Sequence, residues 1–362
     1  MTAPQRQRAW ATRVGGLSGP FYAIGLAALV LTCLALTRDY AVPIAIAVLV
    51  WFLINALADA LRRLPHIGHR LPLGGAQIVS VIVLFAGMIA ASRVVVDNIR
   101  SLAEDLAGHE TVLLGKLESW AAPLGIPTPI RLDTLLASVD LERLLAAVLG
   151  TTGSLISGVS LVFLYVLFLL LDQRYFEAKL RALVADEARR AALRDTLSRV
   201  GRETRLYLWL MSLISGGVAL VTFGICRLVG LEGAGFWGFL AFALNFIPTI
   251  GSILAVAFPA AYGLVTLDDP AAVLGLIAAL AALQFVAGEV VMPRLMGQRL
   301  NLSAFVILLV LVVWGAVWGP AGMFLAIPIT VIICLICARF PATRPVAVLL
   351  SKDGRLPAAE AD

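Results

Sequence analysis

The chain has 362 residues, 60% of them hydrophobic and only 14% charged, with a formal net charge of +5. Ordinary globular domains carry about 25% charged residues, which excludes a soluble protein. The apolar runs are long and continuous, which also excludes a β-barrel built from alternating strands of ~10 residues. The expected fold class is therefore all-α, a polytopic membrane protein with about eight hydrophobic segments.

Residues 1–19 hold Arg6, Arg8 and Arg13 and no acid. The apolar run behind them reaches Thr37-Arg38-Asp39 with no small-residue cleavage site before it, so it reads as a retained first span, 20–37. A tight turn at Arg38-Asp39 leads to a second span, 40–61. The connection 62–75 holds Arg62, Arg63, His66, His69 and Arg70 without an acid, which places it in the cytoplasm by the positive-inside rule. Residues 76–96 cross outward and complete a first unit, 1–96.

The next unit, 97–150, carries four Lys/Arg against eight Asp/Glu. It is read as an extracytoplasmic amphipathic helical segment. Val95, Ile99, Leu102 and Leu106 recur at helical spacing, and Pro123-Leu-Gly-Ile-Pro127-Thr-Pro129 breaks the segment in two. The unit 151–205 combines a fourth span, 151–171, with a basic stretch, 172–205, of nine Lys/Arg and six Asp/Glu. An apolar stripe through that stretch marks a cytoplasmic amphipathic helix. Residues 206–229 return outward, with Gly216-Gly217 placed for close helix contact. Cys33, Cys226, Cys334 and Cys337 all lie in apolar runs, which argues against a disulfide framework.

Residues 206–338 form the motif-rich core, ahead of a cytoplasmic tail, 339–362. No charged residue occurs between Glu232 and Asp268, nor between Arg299 and Arg339. As a straight helix each run would be on the order of 50 Å long, against a hydrocarbon core of about 30 Å. Each is also interrupted, one at Asn245-Phe-Ile-Pro248-Thr-Ile-Gly251 and the other at Gly315-Ala-Val-Trp-Gly319-Pro320-Ala-Gly322. Segments 233–267 and 300–338 are therefore expected to be broken or re-entrant. Re-entrant threading also keeps Asp268-Asp269 outside and Arg294 and Arg299 inside. Gly251-Ser-Ile-Leu254-Ala255 with Pro259 resembles Gly322-Met-Phe-Leu325-Ala326 with Pro328, the mark of an inverted repeat.

Glu289 stands alone between the two runs. A carboxylate in a membrane segment is expensive and points to function, here binding of a proton or cation; the alternative is a place near the cytoplasmic end, pairing with Arg294 or reaching headgroup water. Asn245 and Gln284 are the neutral polar residues expected along a substrate or ion pathway, or else in helix-to-helix hydrogen bonds. Pro248, Gly251, Pro259, Pro293, Gly297, Gly315, Gly319, Gly322 and Pro328 are the expected helix breaks or hinges. An enzyme is not expected. The chain has no Walker A loop and no His-Glu-x-x-His, and its histidines, His66, His69 and His109, lie in charged loops. No metal, cofactor or nucleic acid is called for.

Gly235-Phe-Trp-Gly238, Asn245-Phe-Ile-Pro248-Thr-Ile-Gly251, Glu289-Val-Val-Met-Pro293-Arg-Leu-Met-Gly297 and Ala326-Ile-Pro328 occur in this order. In these motifs the chain resembles the autoinducer-2 exporter family of bacterial permeases over nearly its whole length. The family's signature maps onto Asn245, Pro248, Gly251, Glu289 and Pro293. The resemblance implies an oligomeric secondary permease of the bacterial inner membrane, working without ATP. Some members are associated with autoinducer-2 export and others with sodium(lithium)/proton antiport. The expected function is export of a small polar solute or signal by alternating access. An antiporter is the alternative within transport, and a non-transporting scaffold or channel is the alternative outside it. The expected partners are the lipid bilayer, the solute, a proton or sodium ion, and further copies of the chain. Both termini are expected in the cytoplasm.

Overall fold

The computed structural model describes residues 22, 25–64, 72–107, 158–296, 302–340 and 343–354. Among these, six helices are long and apolar enough to cross a membrane, and shorter apolar helices accompany them. The chain is a polytopic α-helical membrane protein.

Helix α1 (Gly25–Leu36) meets α2 (Arg38–Arg62) across the single residue Thr37, so Arg38 and Asp39, expected in the turn, already begin α2. Helix α3 (Leu73–Ala107) runs past the expected end of the third span into the acidic segment. The rest of that segment, 108–150, lies outside the described residues.

The basic stretch divides differently from the expected pattern. Helix α4 (Gly158–Leu183) carries the fourth span into it, with a 3-10 turn at Gln173–Tyr175. The chain then breaks at 184–186, and α5 (Glu187–Val229) continues without interruption through both the basic part and the next span. The stop-start is local chemistry: the Asp186 carboxylate accepts hydrogen bonds from the Ala188 and Arg189 N–H groups, capping the new helix. No comparable cap or Pro interrupts 205–206, so one helix of 43 residues forms, roughly 64 Å long. Its N-terminal part is tied to α4 by the Arg194–Glu177 ion pair.

Helix α6 (Ala234–Leu244) packs on α5 and on α7 (Ile250–Thr266), and α7 packs on α8 (Pro270–Phe285), which also meets α5. The close contact expected at Gly216-Gly217 is absent, since a Cβ on either would meet nothing within 4 Å. The partner helix supplies the contact instead: a Cβ on Gly238 would lie 2.8 Å from the Ala219 carbonyl oxygen on α5. Beyond α8 the chain widens into a π-helical segment (Val286–Val291) and closes with Met292–Met296. Helix α9 (Ala304–Arg339) is broken at Gly319, and α10 (Arg344–Leu350) ends the described fold.

Both interrupted runs fold back on themselves. In the first, the Cα of Gly251 sits so close to the Leu244 carbonyl that a Cβ would overlap it. In the second, a Cβ on Gly322 would overlap the Trp314 carbonyl. Residues eight apart on a straight helix are about 12 Å apart along its axis, so α9 reverses between Trp314 and Gly322. The ends of each hairpin also come together. Leu231, before the first hairpin, and Leu267, after it, both lie against Gly263. At the second, the Ser303 N–H donates to the Leu350 carbonyl at 3.2 Å, and Leu302 pairs with Ser351. Helix α8 and its extension, 26 residues or roughly 39 Å, separate the two bases. The hairpins thus enter from opposite ends of the bundle.

Candidate functional site

The tips of the two hairpins meet in the interior. Phe246 and Ile247 share one buried cluster with Trp314, Trp318, Leu325, Ala326 and Ile327. The Phe246 and Phe324 rings lie 4.9 Å apart, within the range of a favourable aromatic pair. Trp318 donates its indole N–H to the Leu34 carbonyl at 3.0 Å. That carbonyl lies three residues before the α1/α2 junction, so the break between the first helices anchors the tip of the last hairpin.

Each tip turns by a strained residue. Thr249 has φ 64 and ψ −61, with the Ile250 N–H bonded to the Pro248 carbonyl at 2.7 Å. This is the rare positive-φ γ-turn, adopted here by a β-branched residue for which such a φ is a real outlier. The second tip places Gly319 at φ 64, ψ −145, a region essentially reserved for glycine.

Asn245 caps α6 at the first tip, and its Nδ2 donates to Ser215 Oγ on α5 at 2.9 Å. Nearby, Val218 of α5, Ala241 of α6, Ala255 of α7 and Ala287 form a cluster of small residues, with Leu244 and Leu283 packed on it. Gln284 lies on the same inward side as Ala287 and is buried, yet its Oε1 has no hydrogen-bond partner among the described residues. Asn245 and Gln284 follow Leu244 and Leu283, which pack on this one cluster, and Pro248 and Gly251 lie in the first tip. Gly315, Gly319 and Gly322 form the second tip. Pro259 and Pro328 are fully buried in the returning arms.

Glu289 is placed elsewhere. It sits in the π-helical segment on the exposed side of the helix, away from Gln284, and makes no ion pair with Arg294. Pro293 is also exposed, and Gly297 lies outside the described residues. Sequence reasoning missed Ser215 and Thr222, both buried on α5. Their signal was present as small hydroxyl residues at helical spacing within an apolar stripe.

Two opposed helical hairpins meet inside a multi-pass bundle, and similarity to known proteins marks the chain as a membrane transporter. The chain belongs to the AI-2E family of transporters, whose profile matches residues 24–341. It is 28% identical over 333 residues to the AI-2 transport protein TqsA of Escherichia coli K12, covering 91% of this chain and 94% of that one. A Haemophilus influenzae protein, provisionally named a transport protein, is 26% identical over 333 residues and covers 90% and 95%. YhhT of Escherichia coli K12, also provisionally named a transport protein, is 30% identical over 203 residues, 55% of this chain and 56% of that one.

Proposed function

We propose that the chain is a secondary transporter of the bacterial inner membrane, exporting a small polar solute or signal such as autoinducer-2 by alternating access. The observation that carries this reading is the tip-to-tip meeting of two hairpins based at opposite ends, marked by the Phe246–Phe324 pair. Backbone broken at membrane depth is tolerated only where it is buried or lines a cavity, and in transporters it is where solutes bind. Each hairpin then serves as the gate toward its own side. Asn245 and Gln284 line the site between them. The relative named for AI-2 transport supports the choice of solute class.

Purified protein in liposomes tests the proposal. Labelled autoinducer-2 is expected to cross wild-type vesicles and to saturate, and Glu289→Gln is expected to retain that flux, because Glu289 faces away from Gln284. Vesicles from folded protein that pass no labelled solute refute export. Proton flux triggered by sodium or lithium, and lost in Glu289→Gln, establishes the antiporter instead.

A further inference from the structure

Helix α5 carries a continuous buried face, and its polar members recur along it. Thr204, Ser215 and Thr222 are each at most 1% exposed. From Thr204 to Thr222 the rise is roughly 27 Å, close to the thickness of the hydrocarbon core. Thr32, Thr196, Thr266 and Thr330 each donate to the carbonyl four residues earlier, the usual way a helical hydroxyl is satisfied. Thr204 and Thr222 do not; their Oγ1 atoms are buried and have no partner among the described residues. Ser215 bonds the tip residue Asn245 midway between them. Val218 and Ala287 share one buried cluster; Thr222 lies one turn beyond Val218, and Gln284, whose Oε1 is also unpartnered among the described residues, lies one turn before Ala287.

Unpartnered buried polar groups are few in folded proteins, and each calls for an explanation. We propose that the buried face of α5 lines the solute passage, a ladder of hydroxyls at Thr204, Ser215 and Thr222 joined by the amides of Asn245 and Gln284 from the facing helices. It takes an uncharged, hydroxyl-bearing solute. This inference rests on the transporter reading and gives it a route and a ligand chemistry. The Gln284 carbonyl accepts only, so the solute donates to it, while the threonine hydroxyls both donate and accept. Among the described residues no buried side chain is an Asp, Glu, Lys, Arg or His. A dehydrated ion would find no countercharge there, and a buried charge without one is costly.

Water access along α5 can be read without any transport assay. Thr204→Cys and Thr222→Cys are reconstituted in liposomes and exposed to a membrane-impermeant methanethiosulfonate, with Val166→Cys, 1% exposed in the packed core of α2 and α4, as the control. Peptide mapping separates the introduced thiol from the four native cysteines. Both α5 thiols are expected to label at least tenfold faster than the control, from opposite sides of the vesicle. Erythritol, but not equal sodium chloride, is expected to slow the labelling. Rates equal to the control in folded protein overturn the passage. Protection by sodium chloride alone overturns the uncharged ligand class. Fast labelling in protein that moves no solute leaves the passage standing and sinks the transporter reading instead.

Discussion

Replacing Gly251 by alanine tests the hairpin geometry directly. The added Cβ would overlap the Leu244 carbonyl oxygen and crowd Leu244 C at 2.6 Å, and both are backbone atoms that cannot rotate away. The tip must open, and overpacking of this kind costs typically 1–3 kcal/mol, occasionally more; with backbone on both sides, about 3 kcal/mol is expected. Gly216→Ala and Gly217→Ala are the internal controls, because a Cβ there meets nothing within 4 Å. Removing glycine from a helix interior gains up to about 1 kcal/mol, so those variants are expected to be neutral or stabilised. The assay is thermal unfolding in detergent, followed by tryptophan fluorescence. Gly322→Ala, which would strike the Trp314 carbonyl, is expected to behave as Gly251→Ala does. If Gly251→Ala melts with the wild type or above it, the fold-back at Leu244 is wrong.

Other outcomes follow from the same contacts. Thr249→Gly removes a strained positive φ worth about 1–3 kcal/mol and adds a glycine entropy cost of about 0.5–1 kcal/mol. The melting midpoint should therefore rise, and a fall would show that the γ-turn is not strained. Trp318→Phe leaves the Leu34 carbonyl without its indole donor, at a cost of about 1–3 kcal/mol if that oxygen stays dry; an unchanged midpoint would deny the bond. A double-mutant cycle on Phe246→Leu and Phe324→Leu should return a coupling of about 0.5–1.5 kcal/mol. Zero coupling would mean that the two tips do not touch. Asp186→Ala should cost about 1 kcal/mol of stability through loss of the α5 cap and so lower the midpoint, and Asp186→Asn should restore most of it.

Much of the fold is legible in the residues because it follows from the solvent. A charge-free run too long for one span, with Pro248 and Gly251 in its middle, has few stable arrangements in a bilayer, and the hairpin is one of them. The likeness of the stretches around Gly251 and Gly322 is matched by their geometry, since each lies against a carbonyl of its outgoing arm, Leu244 and Trp314. The boundary between α4 and α5 was less legible. Net charge separates 172–205 from the spans on either side, but the break is decided by the Asp186 cap, and charge does not interrupt a helix. Gly216-Gly217 shows the same limit: small residues allow a close approach, and only packing decides which helix makes it.

Among the candidate residues, those costly to place in a membrane, Glu289, Asn245 and Gln284, stand out from their apolar neighbours along the chain. Solvation is a property of the side chain and its apolar neighbours, and it can be read locally. Only the tertiary structure decided which of them meet. It turned Gln284 inward and Glu289 outward on adjacent turns, and it paired Asn245 with Ser215, thirty residues earlier. Facing depends on how helices rotate and cross, and that is fixed by contacts far apart along the chain, such as Phe246 with Phe324 and Trp318 with Leu34.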